Sequence, residues 1–415
     1  MINRVKNLLE KYIVEIAVSL YLLYLLYINV ADGIYGYVNV WYVLDYSYGF
    51  GSRLLLGTIL HSVLGDFIEK EVAYRFVIAM LGILCVLVSF LAGMVYRSVK
   101  DDGNKKLAAL FLIMLYLASP ASPAYLWTRE NMGRLDTYLF ISAVILAMIY
   151  MKVKNRYVKY ALFLAIGVFT ISIHQVYIFL FFPSLLVMMI HDVWQSGFEK
   201  KQILMSLSTA VILGCVFLYM QFCSGIYYDN LDELIVELSR HTSFAVSEAP
   251  LEAEYFWTIK EHFYKNQLPE LRERIRFGII TVVLLTPIWG TYLWLWIQAI
   301  KSSKDALAKS KYILMLLTNV AYVPVFALMN DWGRWFAAFF IVQFLSMMVL
   351  AYVGDEGIAQ GLEKLGKVIR KNPVIFLVFI LYVASYEKFQ GLNYLEQVER
   401  FYYATYDLKE WILGR

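Results

Sequence analysis

Apolar residues dominate this chain in long runs that polar clusters interrupt. Eleven of the runs approach the roughly 20 residues that a helix needs to cross a hydrocarbon core of about 30 Å. They cover approximately residues 13-30, 76-96, 107-119, 137-151, 160-173, 175-190, 203-222, 279-299, 312-329, 336-353 and 374-387. The pattern predicts an all-α, polytopic helical membrane protein with about 11 transmembrane helices in a single transmembrane domain over 1-415. Residues 160 to 190 lie between basic segments, so an even number of crossings must fit there. The turn between those two short helices, at Ser172, Ile173, His174 and Gln175, is expected below the membrane surface, where backbone can turn only inside protein or beside a water-filled cavity. Pro120 and Pro123, in SPASP, stop the third run by fixing φ and withholding donors.

Two loops carry patterns of their own. In the first, residues 31-75, the polar positions Thr58, His61, Ser62, Gly65, Asp66 and Glu69 share one helical face, and Leu55, Leu56, Ile59, Leu60, Val63, Leu64, Phe67 and Ile68 fill the other. This predicts an amphipathic helix lying in the interface. Ser52 is expected to cap it, Gly49 and Gly51 to allow a tight loop ahead of it, and Arg53 to fall in its first turn. A cation there opposes the helix dipole, so Arg53 calls for a partner carboxylate or an anionic ligand. In the second loop, residues 223-278, DNLDELIVELSR and PELRERIR read as surface helices, the first capped by Asp229 or Asn230 and the second opened by Pro269. Its many charges suit a solvated lid or spacer better than a catalytic element.

Composition agrees with the apolar pattern: 60% of the 415 residues are hydrophobic and only 17% are charged. A net charge of +4 gives no reason to expect a nucleic-acid partner. Where the charges fall is more informative. With the N-terminus in the cytoplasm, the short segments 1-12, 97-106, 152-159, 191-202, 300-311 and 354-372 collect about 21 of the 37 basic residues. That bias predicts N-in, C-out, with 388-415 an outer tail. MINRVKNLLEK and its apolar sequel read as a retained first span, since no small-residue cleavage site follows. Cys85, Cys215 and Cys223 have neither metal-ligand spacing nor an even count, and read as packing residues.

With this orientation the outer segments gather Asp45, Arg53, Arg129, Glu130, Arg134, Asp136, His174, Asp331 and Arg334 in one leaflet. Arginine's planar fork holds phosphate oxygens in bidentate fashion, and a nearby carboxylate can take the proton of an attacking sugar hydroxyl. The set therefore suits sugar transfer from a polyprenyl phosphate or diphosphate. Asp45 is the expected base, and Arg53, Arg129, Arg134 and Arg334 are expected to bind phosphate. Asp136 and Asp331 would position arginines or sugar hydroxyls. His174 would support them, whereas His61, on the polar face of a surface helix, has the weaker claim.

A many-spanned chain whose first outer loop bears an acidic residue and then an interfacial helix resembles the GT-C superfamily of membrane glycosyltransferases. The arginines in its outer loops resemble those of bacterial O-antigen and capsule polymerases. The resemblance implies a base or divalent-metal ligand at Asp45, with Asp32 as substitute, although the chain has no paired acidic motif in that loop and no WWD signature. It also implies an undecaprenyl-linked donor, a glycan acceptor, a bacterial cytoplasmic membrane and a role in cell-surface polysaccharide synthesis. Rival readings are a transporter or flippase of lipid-linked sugars, an integral-membrane acyltransferase acting on exported glycan, and a non-catalytic membrane subunit. A transporter would call for internal repeats and broken helices at the midplane, and the sequence shows no such repeat.

Overall fold

The structure is a computed structural model, and it describes residues 10–99, 102–390, 398, 400, 403 and 404. Residues 1–9 of the basic N-terminal segment and most of 388-415 thus lie outside the described residues. The fold is all-α apart from one two-residue strand pair. Helix occupies every one of the eleven apolar runs, but length separates them. Among the described residues six helices are long and apolar enough to cross a membrane: Lys70–Ser98, Gly103–Trp127, Arg156–Ile173, Lys200–Phe222, Ala306–Leu328 and Trp332–Tyr352. A bent pair raises the number to at most seven. The chain has the helices of a multi-pass membrane protein, and eleven full spans are not among them.

Local chemistry explains the shortfall. The expected span 279-299 is two helices, Leu271–Leu284 and Thr286–Ser302, meeting at 68°. Pro287, in the first turn of the second helix, cannot donate the N–H that would continue the first. Leu271–Leu284 also absorbs the PELRERIR surface helix, so Pro269 opens no separate element. The expected span 175-190 is likewise divided, into Tyr177–Leu180 and Phe182–Gln195, with Pro183 at the start of the latter. Ile13–Asn29 has 17 residues and Pro373–Ala384 only 12.

Contacts divide the chain into two compact units. One comprises residues up to Met94 with Leu126–Thr258, and the other Val95–Tyr125 with the residues from Ile259 on. In the first unit Arg156–Ile173 packs on Asp136–Lys152 and Lys200–Phe222. Gly167 lets Leu213 close in, since a Cβ there would stand 2.7 Å from a Leu213 methyl. The first helix fits the same way: a Cβ on Gly93 would lie 1.9 Å from the carboxyl carbon of buried Glu15.

In the second unit, the segment expected to be a basic loop, 354-372, contains the helix Glu356–Lys371. Its apolar face, Ile358, Leu362, Leu365 and Ile369, is buried, and Lys364, Lys367, Arg370 and Lys371 stay exposed. Asp355 caps it by accepting from the Ile358 N–H at 3.1 Å, while Tyr312 donates to Asp355 at 2.7 Å and Lys311 pairs with its other oxygen. The helix rests on Gly103–Ala118 and Thr286–Ser302 through glycines. A Cβ on Gly366 would stand 1.9 Å from the Asn104 carbonyl oxygen. At the far end of Gly103–Ala118, where SPASP ends the helix as expected, Lys388 donates to the Ala118 and Ser119 carbonyls at 3.2 and 2.8 Å.

Packing of this kind makes a test. Gly366→Ala forces backbone apart and should lower stability by about 1–3 kcal/mol. Gly82→Ala, in a helix interior with nothing within 4 Å of the new carbon, should gain about 0.5–1 kcal/mol. Thermal unfolding in detergent reads both, and equal midpoints for the two variants would refute the close approach.

Candidate functional site

The first loop and the large loop, read from sequence as separate elements, are joined in the first unit. Gly49–Phe50 pairs antiparallel with Gly225–Ile226, and the Tyr227 N–H extends the pairing to the Tyr48 carbonyl at 2.9 Å. Gly49 is required here because a Cβ would come within 2.3 Å of the Gly225 oxygen. Further along, the Ile68 N–H donates to the His241 carbonyl at 2.8 Å, and the Thr242 hydroxyl to the Ile68 carbonyl at 2.8 Å. The Asn39 amide reaches Ala245 at 2.7 Å. Asn230 caps Leu231–Arg240 by accepting from the Asp232 N–H at 2.9 Å, one of the two caps expected.

Between the joined loops lies a cavity of about 390 Å³, lined by Asp45, Ser47, Tyr48, His61 and Asp66 from the first loop and Tyr228, Glu237 and His241 from the large one. The interfacial helix is shorter than expected, Leu55–Leu64, but it carries His61 to the cavity wall. Gly57 lets it cross the chain at Leu44, whose oxygen would be 2.1 Å from a Cβ. His61 Nδ1 is bound to Asp45 Oδ2. The other Asp45 oxygen accepts from the Ser47 N–H at 2.7 Å and from the Ser47 hydroxyl. Burial alone would raise the Asp45 pKa, but the hydrogen bonds from Ser47 and His61 outweigh it and hold the carboxyl below its ordinary range. With Asp45 ionised, His61 Nδ1 is the donor in this pair. His61 Nε2 is buried and has no hydrogen-bond partner among the described residues.

The opposite wall is built by one helix turn: Glu237 and His241, four residues apart, share a face of Leu231–Arg240 and its C-cap. His241 Nδ1 donates to the Asp66 carbonyl at 2.9 Å, and its Nε2 lies 3.5 Å from Glu237. The two imidazole centroids are 6.4 Å apart. Burial and the neighbouring Asp45 and Glu237 charges raise the Tyr48 pKa, so Tyr48 remains a neutral phenol. Among the described residues, three carboxylates and no Lys or Arg line the cavity.

Arg53 belongs to a second cluster. It is not in the helix's first turn but ahead of it, at φ 72°, a left-handed conformation that costs a non-glycine residue about 1–3 kcal/mol. Its N–H is anchored to the Ser172 and Ile173 carbonyls, at 3.2 and 3.1 Å. Ser52 caps nothing; its hydroxyl bonds to Gln175, and Leu54 occupies the N-cap without a side-chain bond. The Arg53 guanidinium lies 4.8 Å from the Trp41 ring centroid, and Nη2 meets Glu254 at 2.7 Å. Glu254 Oε1 is taken by Gln175 Nε2 at 2.9 Å, and His174 Nδ1 is 3.1 Å from the Gln175 oxygen. Ser172, Ile173, His174 and Gln175 of the SIHQ turn are buried inside protein.

The remaining expected site residues are placed elsewhere. Arg134 is buried, donates from Nε to the Glu130 carbonyl at 2.8 Å and lies 5.6 Å from the Tyr35 ring centroid. Asp136 opens Asp136–Lys152 and is buried, whereas Arg129 is exposed. Asp331 and Arg334 belong to the second unit, as an ion pair three residues apart. No group of three His, Cys, Asp or Glu side chains is arranged to hold a metal ion among the described residues.

The Asp45 contacts set a pH dependence. A carboxyl with a lowered folded pKa contributes its stability fully above the ordinary value of about 3.9 and loses it as pH falls through the folded value. Below about pH 4, the thermal midpoint of the wild-type protein should therefore fall more steeply than that of Asp45→Asn; parallel acid profiles would show that the Asp45 contacts are not made. Comparison with known proteins places the chain beside no relative: no family model, no curated protein and no solved structure matches it.

Proposed function

We propose that the protein transfers a sugar from a polyprenyl phosphate or diphosphate carrier to a glycan hydroxyl, at the outer face of a bacterial cytoplasmic membrane, in the synthesis of a cell-surface polysaccharide. The observation that carries this reading is the Asp45–His61 pair on the wall of the joined-loop cavity. A base oriented by a carboxylate, with its second nitrogen free, is the arrangement needed to take a proton from an attacking hydroxyl. His61 takes the role first expected of Asp45, and Asp45 becomes its orienting group and the counter-charge for the imidazolium. The acceptor oxygen then bonds to the anomeric carbon, the bond from that carbon to the carrier phosphate breaks, and the phosphate leaves with the electron pair.

The cavity supports this reading in size and chemistry. A volume of about 390 Å³ accommodates one or two sugar rings, near the lower end of ordinary ligand sites. Asp66, Glu237, His241 and the two tyrosines offer the acceptors and donors that a polyhydroxylated ring requires. Its acidic lining does not suit phosphate, so the cavity takes the acceptor and leaves the carrier phosphate to an arginine. The side of the membrane follows from the Lys and Arg bias. An acyl transfer is the second reading, favoured by the same free His61 nitrogen.

Substituting His61 by Asn should lower transfer by about 10²–10⁴-fold at wild-type protein levels, and Asp45→Asn should lower it as well by turning the imidazole to the wrong tautomer. Analysis of lipid-linked and surface glycans in cells carrying each variant reads the effect. Unpolymerised lipid-linked units would assign a polymerase, and a missing branch a single-sugar transferase. Glycan that is complete but lacks acyl groups would transfer the dyad to the second reading, and unchanged glycan would remove it from catalysis.

A further inference from the structure

Arg53 is held by a carboxylate that fits it only in part. In an arginine, Nε and Nη2 point to the same side and together form a fork that two oxygens on one centre can occupy. Glu254 bonds Nη2 at 2.7 Å, but its second oxygen is turned away and held by Gln175 at 2.9 Å. Nε is left buried and without a hydrogen-bond partner among the described residues. The cation is fixed in place by Trp41 beneath it and by its own backbone anchors, and the Arg53 and Glu254 side chains keep 19% and 16% of their surface exposed. Glu254 itself belongs to a single π-helical turn, Glu252–Phe256, a rare form that can rewind to α by shedding one residue.

We propose that Arg53 is a binding site for a phosphate or diphosphate group and that Glu254 is its internal latch. An incoming phosphate places two oxygens on Nε and Nη2, displaces Glu254 and frees Gln175 Nε2 to donate a third bond. The Glu252–Phe256 turn then loses its tie to Arg53 and loosens, while the Tyr255 hydroxyl stays on the Ser52 carbonyl at 3.2 Å and its ring against Trp41. No covalent step is involved. That the phosphate is the leaving group of sugar transfer rests on the function proposed above; the anion site and its latch do not.

The test uses the full chain purified in detergent, with inorganic diphosphate and farnesyl phosphate as probes in calorimetric titration. Glu254→Gln removes the competing charge and should tighten binding by about tenfold or more. Arg53→Gln added to Glu254→Gln should abolish that gain. In the wild-type protein, saturating probe should speed amide hydrogen exchange at residues 252–256, a readout that needs no variant. Gains with both probes assign the phosphate group itself as the ligand, and a gain confined to farnesyl phosphate assigns a lipid-borne one. A correctly melting Glu254→Gln protein that binds neither probe more tightly, or exchange at 252–256 unchanged at saturation, overturns the proposal. Probe binding kept by His61→Asn while transfer is lost separates this site from the catalytic one. Equal transfer in His61→Asn and wild type would overturn only the transfer reading.

Discussion

The antiparallel clasp of Gly49–Phe50 on Gly225–Ile226 is the contact from which the rest of the site follows. Its two strands are only two residues each, and a ladder so short has little stability in isolation. It is held because neighbouring contacts share the load: Tyr227 on Tyr48, Ile68 on His241, Asn39 on Ala245, Glu254 on Arg53. Each ties one loop to the other, and all but the Asn39 bond involve a residue of the cavity or of the Arg53 cluster. Bulk at Gly49 would separate the strands, and with them the two walls carrying His61 and His241.

The short helix Leu55–Leu64 and the residues just ahead of it contribute to two different clusters. Its His61 faces an acidic, tyrosine-lined hollow, whereas the residues leading into it hold a guanidinium on an indole ring. Each charged group thus has its own partner, Asp45 with Ser47 and His61, and Arg53 with Glu254. Had Asp45 paired with Arg53, His61 would lack its orienting carboxylate.

The apolar runs made the helices legible because period and composition are local properties of the chain. Span count was less legible, since Pro287 and Pro183 break runs that hydropathy alone reads as continuous. The helix Glu356–Lys371 was hidden by its basic face, although Ile358, Leu362, Leu365 and Ile369 recur at helical spacing. At the site, Asp45 and Arg53 stood out as charges beside an apolar stretch; the Asp45 partners, Ser47 and His61, lie in the same loop, but the Arg53 partner, Glu254, comes from far along the chain. Glu237 and His241 at i and i+4 were the available signal in the large loop. Loop charges look alike in sequence whether they solvate a spacer or line a cavity, and only tertiary pairing distinguishes the two.

The seat of Glu15 against Gly93 has a consequence for how the first helix is set during assembly. The Glu15 carboxyl group fits where Gly93 has no side chain, and a buried polar group elsewhere along an apolar helix face is disfavoured. Turning Ile13–Asn29 by a single position, or sliding it by one winding, would drive that group into a side chain or out into hydrocarbon. The pair thus behaves as a key and keyway, giving an otherwise featureless greasy rod one rotational setting against Lys70–Ser98.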